Sequence, residues 1–166
     1  MSIRRRFNIW LINKLRPFKH NKLKSKLFNR IPGCSIGKNS ILVGPIFING
    51  CNVNIGSNVH IGHDFKCEGN GQIAIGDCCD VGPNVTLLTG SHEIGNKNRR
   101  AGRGQTLSIT IFEGCWIGAN SIILGKVNSL FIGPSSVVGC ASNVVKNVER
   151  DSVVAGNPAT IIKKVF

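Results

Sequence analysis

The chain has 166 residues, 42% of them hydrophobic and 17% charged, which is one domain's worth with enough apolar side chains to bury a core. Its content of Val, Ile and Leu excludes a disordered chain, glycine does not recur every third residue as collagen requires, and no apolar run reaches the 18 residues of a spanning helix. The formal charge of +13 is uneven, because residues 1–63 hold eleven of the 21 Lys and Arg and no Asp or Glu, whereas residues 64–166 hold ten basic and eight acidic side chains.

The cationic block begins at once. Ile3, Phe7, Trp10, Leu11, Leu15 and Phe18 recur at steps of three to four among Arg4, Arg5, Arg6, Lys14, Arg16 and Lys19. This spacing predicts a basic amphipathic helix, ended or kinked near Pro17. A second short stretch, Lys22 to Arg30, carries Leu23, Leu27 and Phe28. Residues 1–30 therefore read as a basic amphipathic helical segment ahead of a domain spanning 31–166. A secretory signal fits poorly, since Asn8 and Asn13 break the apolar part and no small-residue cleavage site follows. Two roles stay open: a helix lying on the surface of an anionic membrane, or one packed on the main domain or on a neighbouring subunit. No nucleic-acid-binding motif accompanies the charge, and no nucleic-acid partner is expected.

From residue 36 the aliphatic positions step by six: Ile36, Leu42, Ile48; Ile55, Ile61, Cys67, Ile73; Ile75, Val81, Leu87; Ile111, Ile117, Ile123; Ile132, Val138, Val144. Aliphatic-Gly pairs such as Ile61-Gly62, Val81-Gly82 and Ile117-Gly118 mark many rungs. Neither a helical period nor strand alternation gives a step of six. A parallel β-helix does: each hexad is a short strand and a corner, three sides close a coil of about 18 residues, and the aliphatic ladders fill the core. The glycines are expected to help the chain turn its corners. The seven cysteines, Cys34, Cys51, Cys67, Cys78, Cys79, Cys115 and Cys140, form no CxxC pair and mostly lie in apolar runs. They read as buried free thiols of a chain in a reducing compartment.

Three stretches, Ile75 to Gly95, Ile109 to Val127 and Ile132 to Lys164 with its Ala-Gly-Asn-Pro-Ala close at 155–159, resemble the hexapeptide-repeat acyltransferases, and among them the sugar and surface-polysaccharide O-acetyltransferases. The resemblance covers roughly residues 31–166 and implies an all-β fold, a left-handed parallel β-helix. It also implies an acetyl-CoA donor, a homotrimer with sites between subunits, and a sugar or glycan acceptor, lipid-linked if the amino-terminal segment reaches a membrane. The expected location is cytoplasmic, and peripheral on the inner face of the membrane if the amino-terminal segment docks there.

The stretch 89–108 interrupts the hexads and reads as an active-site loop. It holds His92, matched by the resemblance to the catalytic base that takes the acceptor's hydroxyl proton. Trp116, Gly118 and Ala119 match the strand beside the thioester, with a backbone N–H near Ala119 for the oxyanion. Cys140, Ala141 and Ser142 match the small residues along the pantetheine arm, and Lys146 and Lys163 the cations near the CoA phosphates. For the acceptor, Gly62 and Asn70 stand where galactoside- and maltose-type enzymes keep an Asn and an Asp, which argues against those simple sugars. His63 and Asp64 adjoin the site, and Arg99, Arg100 and Arg103 suit a phosphate or carboxylate on the acceptor. The insert Lys126 to Leu130 is expected to bulge one rung. No metal is expected. Two other classes share the fold: a zinc lyase of the gamma-carbonic-anhydrase kind, for which His60, His63 and His92 are available, and a membrane-docked scaffold without catalysis.

Overall fold

The computed structural model describes residues 2–165. Two helices, α1 (Ile3–Lys14) and α2 (Asn21–Phe28), precede a solenoid of stacked coils. Coil 1 holds β1 (Cys34–Ile36), β2 (Ile41–Leu42) and β3 (Ile46–Asn49), and coil 2 holds β4 (Asn52–Ile55), β5 (His60–Ile61) and β6 (Phe65–Gly69). Coil 3 holds β7 (Gln72–Ile75), β8 (Asp80–Val81) and β9 (Thr86–Ile94), with β10 (Ala101–Thr106) returning alongside β9. Coil 4 holds β11 (Ser108–Ile111), β12 (Trp116–Ile117) and β13 (Ile122–Leu124), and coil 5 holds β14 (Leu130–Ile132), β15 (Val137–Val138) and β16 (Asn143–Val144). The chain closes with β17 (Ser152–Gly156) and β18 (Ala159–Lys164). The first strands of successive coils stack as face A, the second as face B and the third as face C, all in parallel register. Two antiparallel additions depart from this, β10 on β9 and β18 on β17. The expected left-handed parallel β-helix is the fold found.

Every aliphatic residue of the hexad ladders is buried, from Ile36, Leu42 and Ile48 to Ile132, Val138 and Val144. The coil length is not 18. Ile36 pairs with Ile55 and Ile55 with Ile75, so the first two coils take 19 and 20 residues. Faces A and B keep the step of six, and the extra residues fall where face C passes to face A. The ribbon of β9 and β10 and the 126–130 insert fall there too, bridged by Ser108 and Lys126.

The glycines of the aliphatic-Gly pairs do not make the turns. The left-handed conformation falls two residues later, on Asn58 (φ 57°), Asp64 (φ 57°) and Asn120 (φ 61°), whose side chains tolerate it better than most. Gly62 is needed for another reason: a Cβ there would stand 2.6 Å from the backbone N of Pro83 in the next coil. Coils stack too closely at these corners for a side chain.

The helices close the first coil, whose outer strand edges have no neighbouring coil. Each face receives one side chain. On face A, Asn29 accepts from the Ile36 N–H at 2.7 Å and donates to its carbonyl at 3.3 Å. On face B, Lys24 Nζ donates to the carbonyls of Leu42 and Val43 at 2.9 and 2.8 Å. On face C, Asn13 accepts from the Ile46 N–H at 2.9 Å and donates to its carbonyl at 3.0 Å. Lys24 is buried, and the burial pulls its pKa below the ordinary lysine value. Ile12, Leu27, Phe28 and Ile31 cover the open end of the core.

α1 packs on the solenoid with much of its apolar stripe turned outward. Arg5, Asn8 and Ile12 are buried, whereas Ile3, Phe7 and Trp10 are exposed. Polar partners decide this: Arg5 Nη2 donates to the Pro32 carbonyl at 2.6 Å, and Asn13 pairs with Ile46 from the same side. Five cysteines are buried and Cys78 and Cys140 exposed, all as free thiols.

Replacing Asn13 by Ala leaves the buried Ile46 N–H and carbonyl unpaired, and urea unfolding is expected to show a loss of about 1–3 kcal/mol. Gly62→Ala, which forces coil 2 against coil 3, is expected to lower the melting temperature, whereas Lys38→Ala on the exposed AB corner leaves it unchanged.

Candidate active site

β9 runs past Thr89, where its pairing with β6 ends, and continues to Ile94. The chain reverses over 95–100 and returns as β10, with Ile94 opposite Ala101, His92 opposite Gly104 and Ser91 opposite Gln105. The stretch expected as an irregular loop over 89–108 is thus a two-stranded ribbon projecting from the CA corner. Its root is fixed by buried Thr89, whose Oγ1 accepts from the Gly71 N–H at 3.2 Å and donates to the Glu68 carbonyl at 3.1 Å.

His92 is exposed on this ribbon, and its Nδ1 lies 3.0 Å from the Gly102 carbonyl. A carbonyl only accepts, so in the neutral ring this contact selects the tautomer with the proton on Nδ1 and the lone pair on Nε2. A cleft of about 350 Å³ lies against the ring, lined by Asn70, Gly90, Ser91, Gly104 and Gln105. Asn70, from the CA corner of coil 2, thus shares the cleft with His92, whereas Gly62 lies at the BC corner. Ser91 and Gln105 carried no sequence signal on their own. Their facing register follows only if 89–108 is read as a hairpin, for which Gly95-Asn96 between two extended runs is the available cue. Arg99 and Arg100 sit at the ribbon tip and Arg103 on β10, all exposed, and none is in an ion pair among the described residues. Arg100 donates to the Gly95 carbonyl at 3.3 Å.

Of the residues matched to the donor, Gly118, Ala119, Cys140, Ala141 and Ser142 gather at the BC corner. Gly118 and Ala119 of coil 4 stack under Cys140 and Ala141 of coil 5, the Ala141 N–H donating to the Ala119 carbonyl at 2.8 Å. Cys140 and Ala141 are small and exposed, so this corner presents a shallow surface rather than a wall of side chains. The Ala119 N–H has no acceptor among the described residues. Trp116 stands on the adjoining face B, 57% exposed, in an outward column with Asp80 below it and Val137 above. Ser142 is buried, its Oγ donating to the Gly139 carbonyl at 2.7 Å and accepting from the Gly156 N–H at 3.2 Å, so the hydroxyl is engaged within the fold. Lys146 borders a small cleft with Pro158 and Ile161, and Lys163 is exposed on β18. Lys164 is instead tied down, donating to the Arg150 carbonyl and Ser152 Oγ.

His63 and Asp64 lie at the BC corner of coil 2, with His63 Nδ1 2.7 Å from Asp64 Oδ2. His60, His63 and His92 fall on face B, the BC corner and the ribbon, and no cluster of three potential ligands forms among the described residues. Within one chain, His92 and the BC-corner residues Ala119, Cys140 and Ala141 stand at opposite edges of face C, whereas Lys146 follows β16 on the CA side.

No family model matches the chain. It is 32% identical over 154 residues to YJL218W of Saccharomyces cerevisiae, a protein named provisionally as an acetyltransferase, covering 92% of this chain and 76% of that protein. It is 32% identical over 137 residues to the galactoside O-acetyltransferase of Escherichia coli, covering 79% of this chain and 64% of the relative. The structure of the hexapeptide-repeat acetyltransferase VCA0836 of Vibrio cholerae, complexed with acetyl-CoA, matches with a TM-score of 0.83 at 26% identity, over 98% of this chain and 86% of that one. A β-helix of stacked hexads with a histidine on a corner ribbon defines an acyltransferase of the left-handed β-helix class. The chain belongs to the hexapeptide-repeat acetyltransferases.

Gly104 offers a probe of the cleft. A Cβ there meets nothing within 4 Å. Gly104→Ala is expected to change unfolding stability by less than about 0.5 kcal/mol. It places a methyl group opposite His92, and a rise in the KM for the acceptor with little change in that for the donor is the expected result.

Proposed function

We propose that the protein transfers the acetyl group of acetyl-CoA to a hydroxyl of a sugar, with His92 as general base and each site shared between two chains of a trimer. The observation that carries this reading is the pinned tautomer of His92 over an open cleft: Nδ1–H is held by Gly102, leaving Nε2 free to take a proton. As the acceptor oxygen attacks the thioester carbonyl, Nε2 removes its proton. The Ala119 N–H is placed to stabilise the negative oxygen that develops. Collapse breaks the C–S bond, and the imidazolium returns the proton to the departing CoA sulfur.

The separation of the two halves of the site supports a shared arrangement. His92 stands at the CA corner and Ala119, Cys140 and Ala141 at the BC corner, so a thioester laid along the BC corner of one chain meets the His92 of another. A C3 trimer closes such contacts on themselves and makes three equal sites. Trp116 packs beside the pantetheine arm, and Lys146 and Lys163 meet the CoA phosphates.

A sugar acceptor is supported by the galactoside O-acetyltransferase likeness. Asn70 replaces an acid in the cleft, and Arg99, Arg100 and Arg103 bring positive charge to the ribbon, which favours a glycan carrying phosphate or carboxylate, such as a lipid-linked precursor of a surface polysaccharide. His63 and Asp64 reach this acceptor only if the neighbouring chain's BC corner borders the cleft.

Loss of thioester absorbance reports turnover without interference from exposed Cys78 and Cys140. His92→Ala is expected to lower kcat by about 10²–10⁴-fold while acetyl-CoA still binds, and a drop below about tenfold rejects the base. Ala119→Trp blocks the donor half. Each variant alone is expected to be inactive, and co-refolded mixtures of the two regain activity at interfaces carrying both intact halves. Mixtures that stay inactive place the whole site in one chain.

A further inference from the structure

α1 is held to the solenoid by one side only. Arg5, Asn8 and Ile12 face inward. At 100° per residue, Ile3, Phe7 and Trp10 lie on the opposite side, 86, 57 and 55% exposed, with the rings of Phe7 and Trp10 stacked at 6.2 Å between centroids. Exposed Arg4 and Arg6 flank this stripe on either side. Phe18 and Leu23 are also exposed and line a shallow cleft with Lys19 and Lys22. The fold engages Arg5 and Lys24 internally and leaves the other cations of the first 30 residues to solvent. No acidic side chain precedes Asp64 to neutralise them.

We propose that this face docks in the plane of an anionic membrane, with Phe7 and Trp10 entering the headgroup–acyl boundary and Arg4, Arg6, Lys14 and Lys19 meeting lipid phosphates. An aromatic stripe bordered by Lys and Arg is the pattern of interfacial helices, and each cation near an anionic surface adds attraction. Charge selects the occupant. A second copy docking through the same face sets one cationic block against another, which opposes association, whereas an anionic bilayer complements both the charge and the apolar stripe. No helix among the described residues is long and apolar enough to cross a membrane, so the attachment is peripheral. The proposal uses no residue of the His92 cleft and stands or falls apart from the acetyl-transfer reading.

The test is co-flotation of the full chain with phosphatidylcholine vesicles, with and without phosphatidylglycerol. Binding to the anionic vesicles that Phe7→Ser with Trp10→Ser weakens by about tenfold or more is the expected result. In a Trp116→Phe background the remaining Trp10 reports directly, and its emission is expected to shift to the blue on the anionic vesicles. This second readout needs no change to the stripe, so it decides the matter if the double variant melts early. Absence of binding at low salt, binding that survives the loss of both rings, or an unshifted Trp10 overturns the proposal. So does sedimentation showing that the double variant falls to a smaller oligomer, which makes the stripe a contact between copies.

Discussion

A stack of parallel coils must end, and where it ends three strand edges present unpaired backbone groups next to an open apolar core. Most of the amino-terminal architecture follows from that constraint. Asn13, Lys24 and Asn29 each close one edge, and between them they act on all three faces of coil 1. Side-chain amides suit faces A and C because one amide both donates and accepts, as an adjoining strand would. On face B two neighbouring carbonyls are to be met, and an ammonium with three donors does so. A buried lysine is tolerable because both contacts are to full acceptors, so its desolvation is partly offset. Covering these edges also removes a site at which another chain could add a strand.

The same constraint fixes the outward face of α1. The helix is positioned by the polar bonds of Arg5 and Asn13 together with buried Ile12 and partly buried Ile9 and Leu11, and not by Phe7 or Trp10. Hydrophobic periodicity locates the helix and its apolar stripe, of which Leu11 packs on the core while Ile3, Phe7 and Trp10 face outward. Periodicity counts apolar side chains and cannot register that a strand edge demands amides.

The β-helix itself was legible in the sequence because inward aliphatic positions recur without exception through Ile36, Leu42, Ile61, Val81, Ile117 and Val138. What the step of six concealed was the division of labour at the corners. Gly62 and Gly118 are there because the next coil lies too near for a side chain, whereas Asp64 and Asn120 carry the turn. The resemblance marks the BC-corner residues and His92 as candidates, and the fold sets them at two different corners. The cleft around His92 was less so. Its Asn70 comes from another coil and its Gln105 from a returning strand, and neither neighbourhood exists until the ribbon of β9 and β10 is recognised.

Length variation is confined to one corner, and that confinement positions the His92 ribbon. Faces A and B keep their hexads because each inward residue must meet the one in the coil below. The CA corner, where face C passes back to face A, absorbs every added residue, including the whole ribbon. The ribbon springs from coil 3, two strand spacings above the capped coil 1. His92 is therefore raised about 10 Å along the solenoid axis from the edge that the helices close. Helices tied by Asn13, Lys24 and Asn29 cannot rock freely on that edge, so the distance between the aromatic stripe of α1 and the His92 cleft is set by coil count. A rigid stack thus converts a capping requirement into a fixed height of the His92 corner over whatever surface the stripe of α1 contacts.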